Sequence, residues 1–457
     1  MEFREEKDSM GAVRIPKDAY YGPQTQRAEE NFPVSGLKFP AVFIDSLALI
    51  KKSAARVNQE LGLLDKKRAD AIMTAAQEVI DRRHESQFVV DIFQTGSGTS
   101  TNMNMNEVLA SRANEIITGA RGGKTPVHPN DHVNLGQSSN DVIPTAIHIA
   151  ALTTIRRQLV PALLILREDL TGKAGAFAEI KKIGRTHLQD AVPLTLGQVF
   201  SGYARQIELG LARIEAFEDR LAELALGGTA VGTGINTHAE FAKRTILLIA
   251  EQTALPFVEA TNHFEAQAAR DAVVEVSGAL KTLAVSLTKI ANDIRWLGSG
   301  PRCGIGEIII PSLQPGSSIM PGKVNPVVPE AVLQVAAQVV GNDTAIMMGG
   351  QAGNFELNVM LPMMAYNLLQ SIALLASVSR IFAEKCIRNL AANRRRCEEN
   401  IEQSLSLATA LVPHIGYDRS AEIAQKAYET GKTIREIALG ENVLPADIIN
   451  KLLAPET

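Results

Sequence analysis

Three long stretches of the chain, residues 142–155, 331–342 and 357–379, contain no Asp, Glu, Lys or Arg. A surface helix keeps one charged face, so a helix apolar on every side must be covered on every side. Several such helices in one 457-residue chain call for a bundle wider than one copy can cover, and therefore for an oligomer with a shared core. The third stretch is long enough to span a membrane, which takes about 20 apolar residues. Its Asn358, Pro362, Asn367, Gln370, Ser371, Ser377 and Ser379 favour a buried helix instead, and no membrane partner is expected.

From about Asn140 the apolar residues Ile143, Ile147, Ala150, Leu152, Ile155, Leu159 and Leu163 recur at three- and four-residue steps, which predicts a long helix. Pro144 is expected in its first turn. Upstream, the turn signals Tyr21-Gly22-Pro23 and Asn31-Phe32-Pro33 precede two predicted helices, over 41–61 and 66–82. Downstream, the charged break from Arg394 to Glu399 precedes shorter helical segments over 423–430 and 433–439. The chain thus reads as mainly α, with an N-terminal domain over 1–138, a central helical-bundle domain over 139–393 and a C-terminal domain over 394–457.

Lys and Arg total 46 against 50 Asp and Glu, a formal charge of -4. That balance removes any general attraction to nucleic acid or to an anionic membrane, and leaves room for a small anionic substrate. Cys303, Cys386 and Cys397 form no Cys-x-x-Cys pair, so neither a disulfide framework nor a zinc site is indicated, and their spacing is not that of an iron-sulfur cluster. No metal or cofactor is expected. The charged start lacks the apolar run of a signal peptide, and the expected location is cytoplasmic.

Four polar segments interrupt the helical pattern. Ser97, Gly98, Thr99, Ser100, Thr101 and Asn102 offer flexible backbone and hydroxyl or amide groups, as either a carboxylate cradle or a simple loop. His128, Pro129, Asn130 and Asp131 are followed by Ser138, Ser139, Asn140 and Asp141, which are good helix caps; free N–H groups at a helix start also face anions, so the two roles are compatible. Thr186 and His187 lie among polar groups, and a lone histidine is more often structural than catalytic. Residues 316–326, Gly-Ser-Ser-Ile-Met-Pro-Gly-Lys-Val-Asn-Pro, make a mobile loop ending on the cation of Lys323 and the amide of Asn325. Taken singly, Lys323 is only a solvated charge. Together the four segments supply what a dicarboxylate site needs. The glycine clusters at 227–234 and 304–306 lack dinucleotide spacing and read as tight turns.

The 316–326 motif is similar to the signature of the fumarase/aspartase superfamily. The resemblance runs along nearly the whole chain, through residues 20–25, 97–100, 128–131, 138–141, 185–190 and 354–359, in family order. It implies a fumarase/aspartase-like fold, a long central bundle shared in a homotetramer, and active sites built from three subunits. His187 stands where aspartate ammonia-lyases carry Gln, and Pro321-Gly322-Lys323 where they read Pro-Ala-Lys, so the resemblance is to class II fumarases; Val327-Val328-Pro329 is shared with the ammonia-lyases. The implied reaction is metal-independent, reversible hydration of fumarate to (S)-malate through an aci-carboxylate carbanion. The implied catalytic residues are Ser317, His187, Glu330 and Lys323. Ser97, Gly98, Thr99, Ser138, Ser139, Asn140, Thr186, Ser318, Lys323, Val324 and Asn325 would bind substrate, and His128, Pro129, Asn130 and Asp131 would form a second dicarboxylate site. The alternatives are an aspartate ammonia-lyase and a non-catalytic structural relative.

Overall fold

Alternation, not helical periodicity, governs the first residues described in the computed structural model, which covers residues 2–454. Strand β1 (Phe3–Asp8) pairs antiparallel with β2 (Gly11–Pro16), and Val13 and Ile15 turn inward. Helix α1 (Pro23–Asn31) follows, with proline in its first turn. No side chain of its own caps it. The buried carboxylate of Glu107, on α4 (Thr99–Thr118), does so instead, accepting the backbone N–H groups of Gly22 (2.9 Å), Gln24 (3.0 Å) and Thr25 (3.0 Å) and the Thr25 hydroxyl (2.6 Å). Glu107→Ala leaves three backbone donors unpaired at about 1 kcal/mol or more each. We expect a loss of roughly 3 kcal/mol of stability, read as a lowered denaturation midpoint with the secondary structure otherwise retained.

Helices α2 (Ala41–Glu60) and α3 (Lys66–Ile80) fall where the sequence pattern puts them. Both have apolar inner faces, and the Asp65 side chain caps α3 by accepting the Arg68 N–H. Helix α5 (Ser139–Thr154) begins at a full capping box: the Ser138 hydroxyl takes N–H groups of the first turn while Asp141 takes the Ser138 N–H. Pro144 departs from expectation, because it lies inside α5 rather than in its first turn. A proline there has no N–H to give the carbonyl four residues back, so the Asn140 carbonyl lacks its helical partner. The helix tolerates this because the gap falls beside its N-terminus.

Beyond α5 the chain runs through α6 (Val160–Ala176), the hairpin β3 (Lys181–Thr186) and β4 (Gln189–Thr195), and α7 (Leu196–Ala216). Longer helices follow at Asp271–Leu297, Val327–Gly350 and Leu361–Phe382. The three charge-free stretches fall in α5 and the last two of these, save Ile155 just past α5 and residues 357–360 just before Leu361. The apolar helical stretches Ser139–Ala176 and Leu361–Ile387 are long enough to cross a membrane, but more than half of each apolar window is buried within the chain, as in core helices.

Two compact units divide the chain: residues 1–160, 212–282 and 337–375 in one, and residues 161–211, 283–336 and 376–457 in the other. In the first, α2 packs on α3 and α5. In the second, Ile183, Ile401, Leu411, Ile423, Ile434 and Ile449 share a core beneath the C-terminal helices, which include Arg394–Gln403, Tyr417–Thr430 and Ile434–Gly440.

Candidate active site

Two helix N-termini form the polar centre of the first unit. The loop before α4 runs against the segment before Leu361: the Leu361 N–H donates to the Gly96 carbonyl (3.0 Å), and a Cβ on Gly96 would stand 1.8 Å from the Val359 carbonyl oxygen. Only glycine permits that approach. Next to it, the Ser97 and Thr99 hydroxyls are 2.9 Å apart at the start of α4. At the start of α5, the Ser139 hydroxyl accepts the Asn102 amide of α4 (3.1 Å), which joins the two N-termini. The Asn140 amide donates to the Ala230 carbonyl (2.8 Å). Ser97, Gly98, Thr99, Ser138, Ser139 and Asn140 are thereby held in one neighbourhood, where helix dipoles and free N–H groups favour an anion.

Two buried charged residues support the start of α5: Lys51 escaped the sequence reading, and Asp141 was read there only as a cap. Asp141 does more than cap, because its carboxylate also accepts the N–H groups of Gly227 (3.0 Å) and Thr229 (2.9 Å) and so ties the 227–234 glycine segment to α5. Burial pushes its carboxyl up to about 6, against the pull of those donors. Lys51 of α2, fully buried, donates to Asn134 (2.9 Å) and Gln137 (3.0 Å), and burial brings its ammonium down to about 7. The signal was present: Lys51 lies four residues after Leu47 and three before Ala54, on the apolar face of α2.

His128 stands at the start of a wide helical turn, Pro129–Val133. Its Nδ1 accepts the N–H groups of Asn130 and Asp131, both at 3.2 Å, while Asn130 and Asp131 themselves are exposed. The histidine ring is thus a cap, with Pro129 buried and Asn130 and Asp131 facing outward.

In the second unit the hairpin β3–β4 turns on two residues, His187 and Leu188, with Thr186 paired to Gln189. Both tip residues have positive φ, 56° and 60°. Such turns favour Asn and Gly, and each bulkier residue there costs roughly 1 to 2 kcal/mol. Strain of this kind collects at functional sites. His187 is exposed, and Leu188 is 70% exposed.

The loop carrying Ser317 closes on itself. The Gly316 N–H donates to the Lys323 carbonyl and the Asn325 amide to the Gly316 carbonyl, both at 2.7 Å. A Cβ on Gly316 would come within 2.6 Å of that Lys323 oxygen. Within this ring the Ser317 hydroxyl oxygen accepts two backbone N–H groups, from Ile319 (3.2 Å) and Met320 (3.0 Å). The tip beyond it is open, with Ile319 83% exposed. Lys323, Val324, Asn325 and Glu330 line a cavity of about 930 Å³ together with Leu188 of the hairpin tip. Glu330 sits in the first turn of Val327–Gly350, and among the described residues no hydrogen bond or ion pair joins it to His187. Cys303 is exposed, Cys386 and Cys397 are buried, and no three metal-ligating groups cluster among the described residues.

The chain as a whole is similar to known proteins. A family model described as Lyase matches residues 11–341, and one described as Fumarase C C-terminus matches residues 407–457. The class II fumarate hydratase of Nitrosomonas europaea is 56% identical over 455 residues, covering 100% of this chain and 98% of its own. That of Ralstonia nicotianae is 54% identical, covering 100% and 99%. The crystal structure of recombinant class II fumarase from Schistosoma mansoni superposes with a TM-score of 0.96 at 42% identity, over 99% of this chain and 98% of that one. A fumarate lyase:delta crystallin from Brucella melitensis, bound to cobalt, superposes with a TM-score of 0.94 at 45% identity, over 99% of each chain. The fold is therefore the fumarase/aspartase-like one, mainly α, and the chain belongs to the class II fumarate hydratase family of lyases.

Proposed function

We propose that the chain catalyses the reversible hydration of fumarate to (S)-malate by anti addition and elimination of water, through an aci-carboxylate carbanion. The observation that carries this reading is the pair of backbone N–H groups on the Ser317 oxygen. A serine is a poor base at its ordinary acidity, and donors to the charged form lower the energy of the alkoxide that must take a proton from carbon. Closure of the loop over substrate excludes water and strengthens those bonds.

Removing a proton beside a carboxylate leaves a dianion, so charge on oxygen must be met as it develops. Lys323 and Asn325 fill that role in the proposal, with Ser318 and Val324 lining the same loop. Thr99, Ser138, Ser139, Asn140 and Thr186, with Ser97 and Gly98, bind the carboxylates. His187 handles the departing hydroxyl through a bound water, with Glu330 from another subunit charging and orienting its ring. The route uses no metal or cofactor. The assembly proposed is a cytoplasmic homotetramer whose active sites draw on three subunits, a central bundle domain over 139–393 lying between the smaller terminal domains.

Incubation with malate and, separately, with aspartate tests the reading through the ultraviolet absorbance of fumarate. Malate should yield fumarate and aspartate none; the reverse would make the protein an ammonia-lyase, and inactivity of a folded assembly a structural relative. The residues His128, Pro129, Asn130 and Asp131 form the proposed second dicarboxylate site. His128→Asn should leave turnover of malate largely intact, because the ring is engaged as a local cap. A collapse of kcat in that variant would move the segment into the active site.

A further inference from the structure

Glu307 is fully buried at 0% exposure, yet three polar side chains converge on its carboxylate. Arg185 meets it with both arms of the guanidinium, at 2.9 and 3.1 Å. Lys182 approaches to 3.2 Å and the Asn400 amide donates at 3.1 Å. The backbone of Glu307 is fastened on both sides, its N–H donating to the Leu297 carbonyl (2.8 Å) and its carbonyl accepting the Asn393 N–H (2.9 Å). The carboxylate is therefore a fixed point of the second unit, and Lys182 and Arg185 both belong to β3.

From these contacts we infer that Glu307 is a positioning residue for the reaction, fixing through Arg185 the hairpin tip that presents His187. The inference rests on the reading of His187 given above. Arg185 precedes His187 by two residues, and the β3–β4 register is irregular between Ile183 and Arg185. An irregularity of that kind re-aims the next side chain, here toward Glu307. Past Arg185, the residues from Thr186 to Asp190 are all exposed. On the return strand the next anchor is the Ala191 carbonyl, which accepts the Ser406 hydroxyl (2.6 Å). A tip with two residues at positive φ keeps its shape only when its flanks are held, and the Arg185 fork is the hold on the side that leads into His187. Lys182 alone would neutralise the buried carboxylate. The planar two-armed contact of Arg185 adds direction, which a lysine cannot supply.

The test is a mutant cycle on the assembled enzyme. Glu307→Gln should lower kcat for malate by roughly 10- to 100-fold, the scale of an ångström-sized misplacement, with KM nearly unchanged. Because Glu307→Gln leaves Lys182 beside a neutral group and can impair folding, Arg185→Lys serves as the second variant; it keeps the charge, loses the fork, and should lower kcat in the same direction at an unaltered melting temperature. In a His187→Asn background neither substitution should slow the enzyme further, since both act through His187. Full multiplicative losses in that background, or normal kcat in Arg185→Lys, would overturn the inference while leaving His187 in its role. Normal turnover in His187→Asn itself would remove that role and the inference with it.

Discussion

Lys323→Met should lower the turnover of malate by roughly 100- to 1000-fold, about 3 to 4 kcal/mol of barrier, the usual cost of losing one oxyanion donor. The argument begins with what the loop already holds. Its shape depends on backbone and amide bonds between Gly316, Lys323 and Asn325, none of which uses the Lys323 side chain. Among the described residues the Lys323 ammonium has no ion pair, and it lies exposed on the wall of the cavity that Asn325 and Glu330 also line. It is therefore free to meet a carboxylate in which a second negative charge develops, and in a closed, water-poor site that attraction grows severalfold over its value in water. Met keeps the length of the side chain without the charge, so the melting temperature should not move. Steady-state kcat and kcat/KM should fall together, because the interaction strengthens as the transition state forms. Near-normal turnover would dismiss Lys323 from the oxyanion role.

Where local chemistry decides structure, the sequence was legible. The helices expected over 41–61 and 66–82 occur at Ala41–Glu60 and Lys66–Ile80, because apolar periodicity and the Asp65 cap act within a few residues. The β1–β2 hairpin was not foreseen: the alternation of its inward Val13 and Ile15 is short, and β1, Phe-Arg-Glu-Glu-Lys-Asp, is mostly charge. Pro144 was misplaced for a related reason, since its cost depends on which carbonyl is orphaned and not on proline alone.

The candidate site divides in the same way. Its segments could be named from their motifs, but nothing in Thr-His-Leu-Gln announces a two-residue turn at positive φ, which Asn-Gly would have done. Lys51 and Glu307 escaped for another reason. Each is buried through partners far away in the chain, such as Asn134 for Lys51 and Arg185 for Glu307, and a pattern read along the sequence does not register those pairings.

Ser317→Ala should reduce kcat by roughly 100- to 10000-fold, the range attributed to a positioned general base, with KM little altered. The hydroxyl oxygen is the only atom removed. The Ile319 and Met320 N–H groups that it accepts belong to the exposed end of the loop, where water can replace it, so the fold should not suffer. Those same two donors make this serine the candidate for the carbon-side base and distinguish it from Ser318, whose hydroxyl accepts neither of them. Two further readouts separate a lost base from a displaced loop. In D2O the wild-type enzyme should exchange a proton at the carbon beside the carboxylate of malate, and Ser317→Ala should slow that exchange in step with net dehydration. Ser317→Thr keeps a hydroxyl within reach of the same donors and should recover part of both. Exchange that persists at the wild-type rate in Ser317→Ala would mean that carbon acidity is handled elsewhere, and the two backbone donors would then serve only to shape the loop.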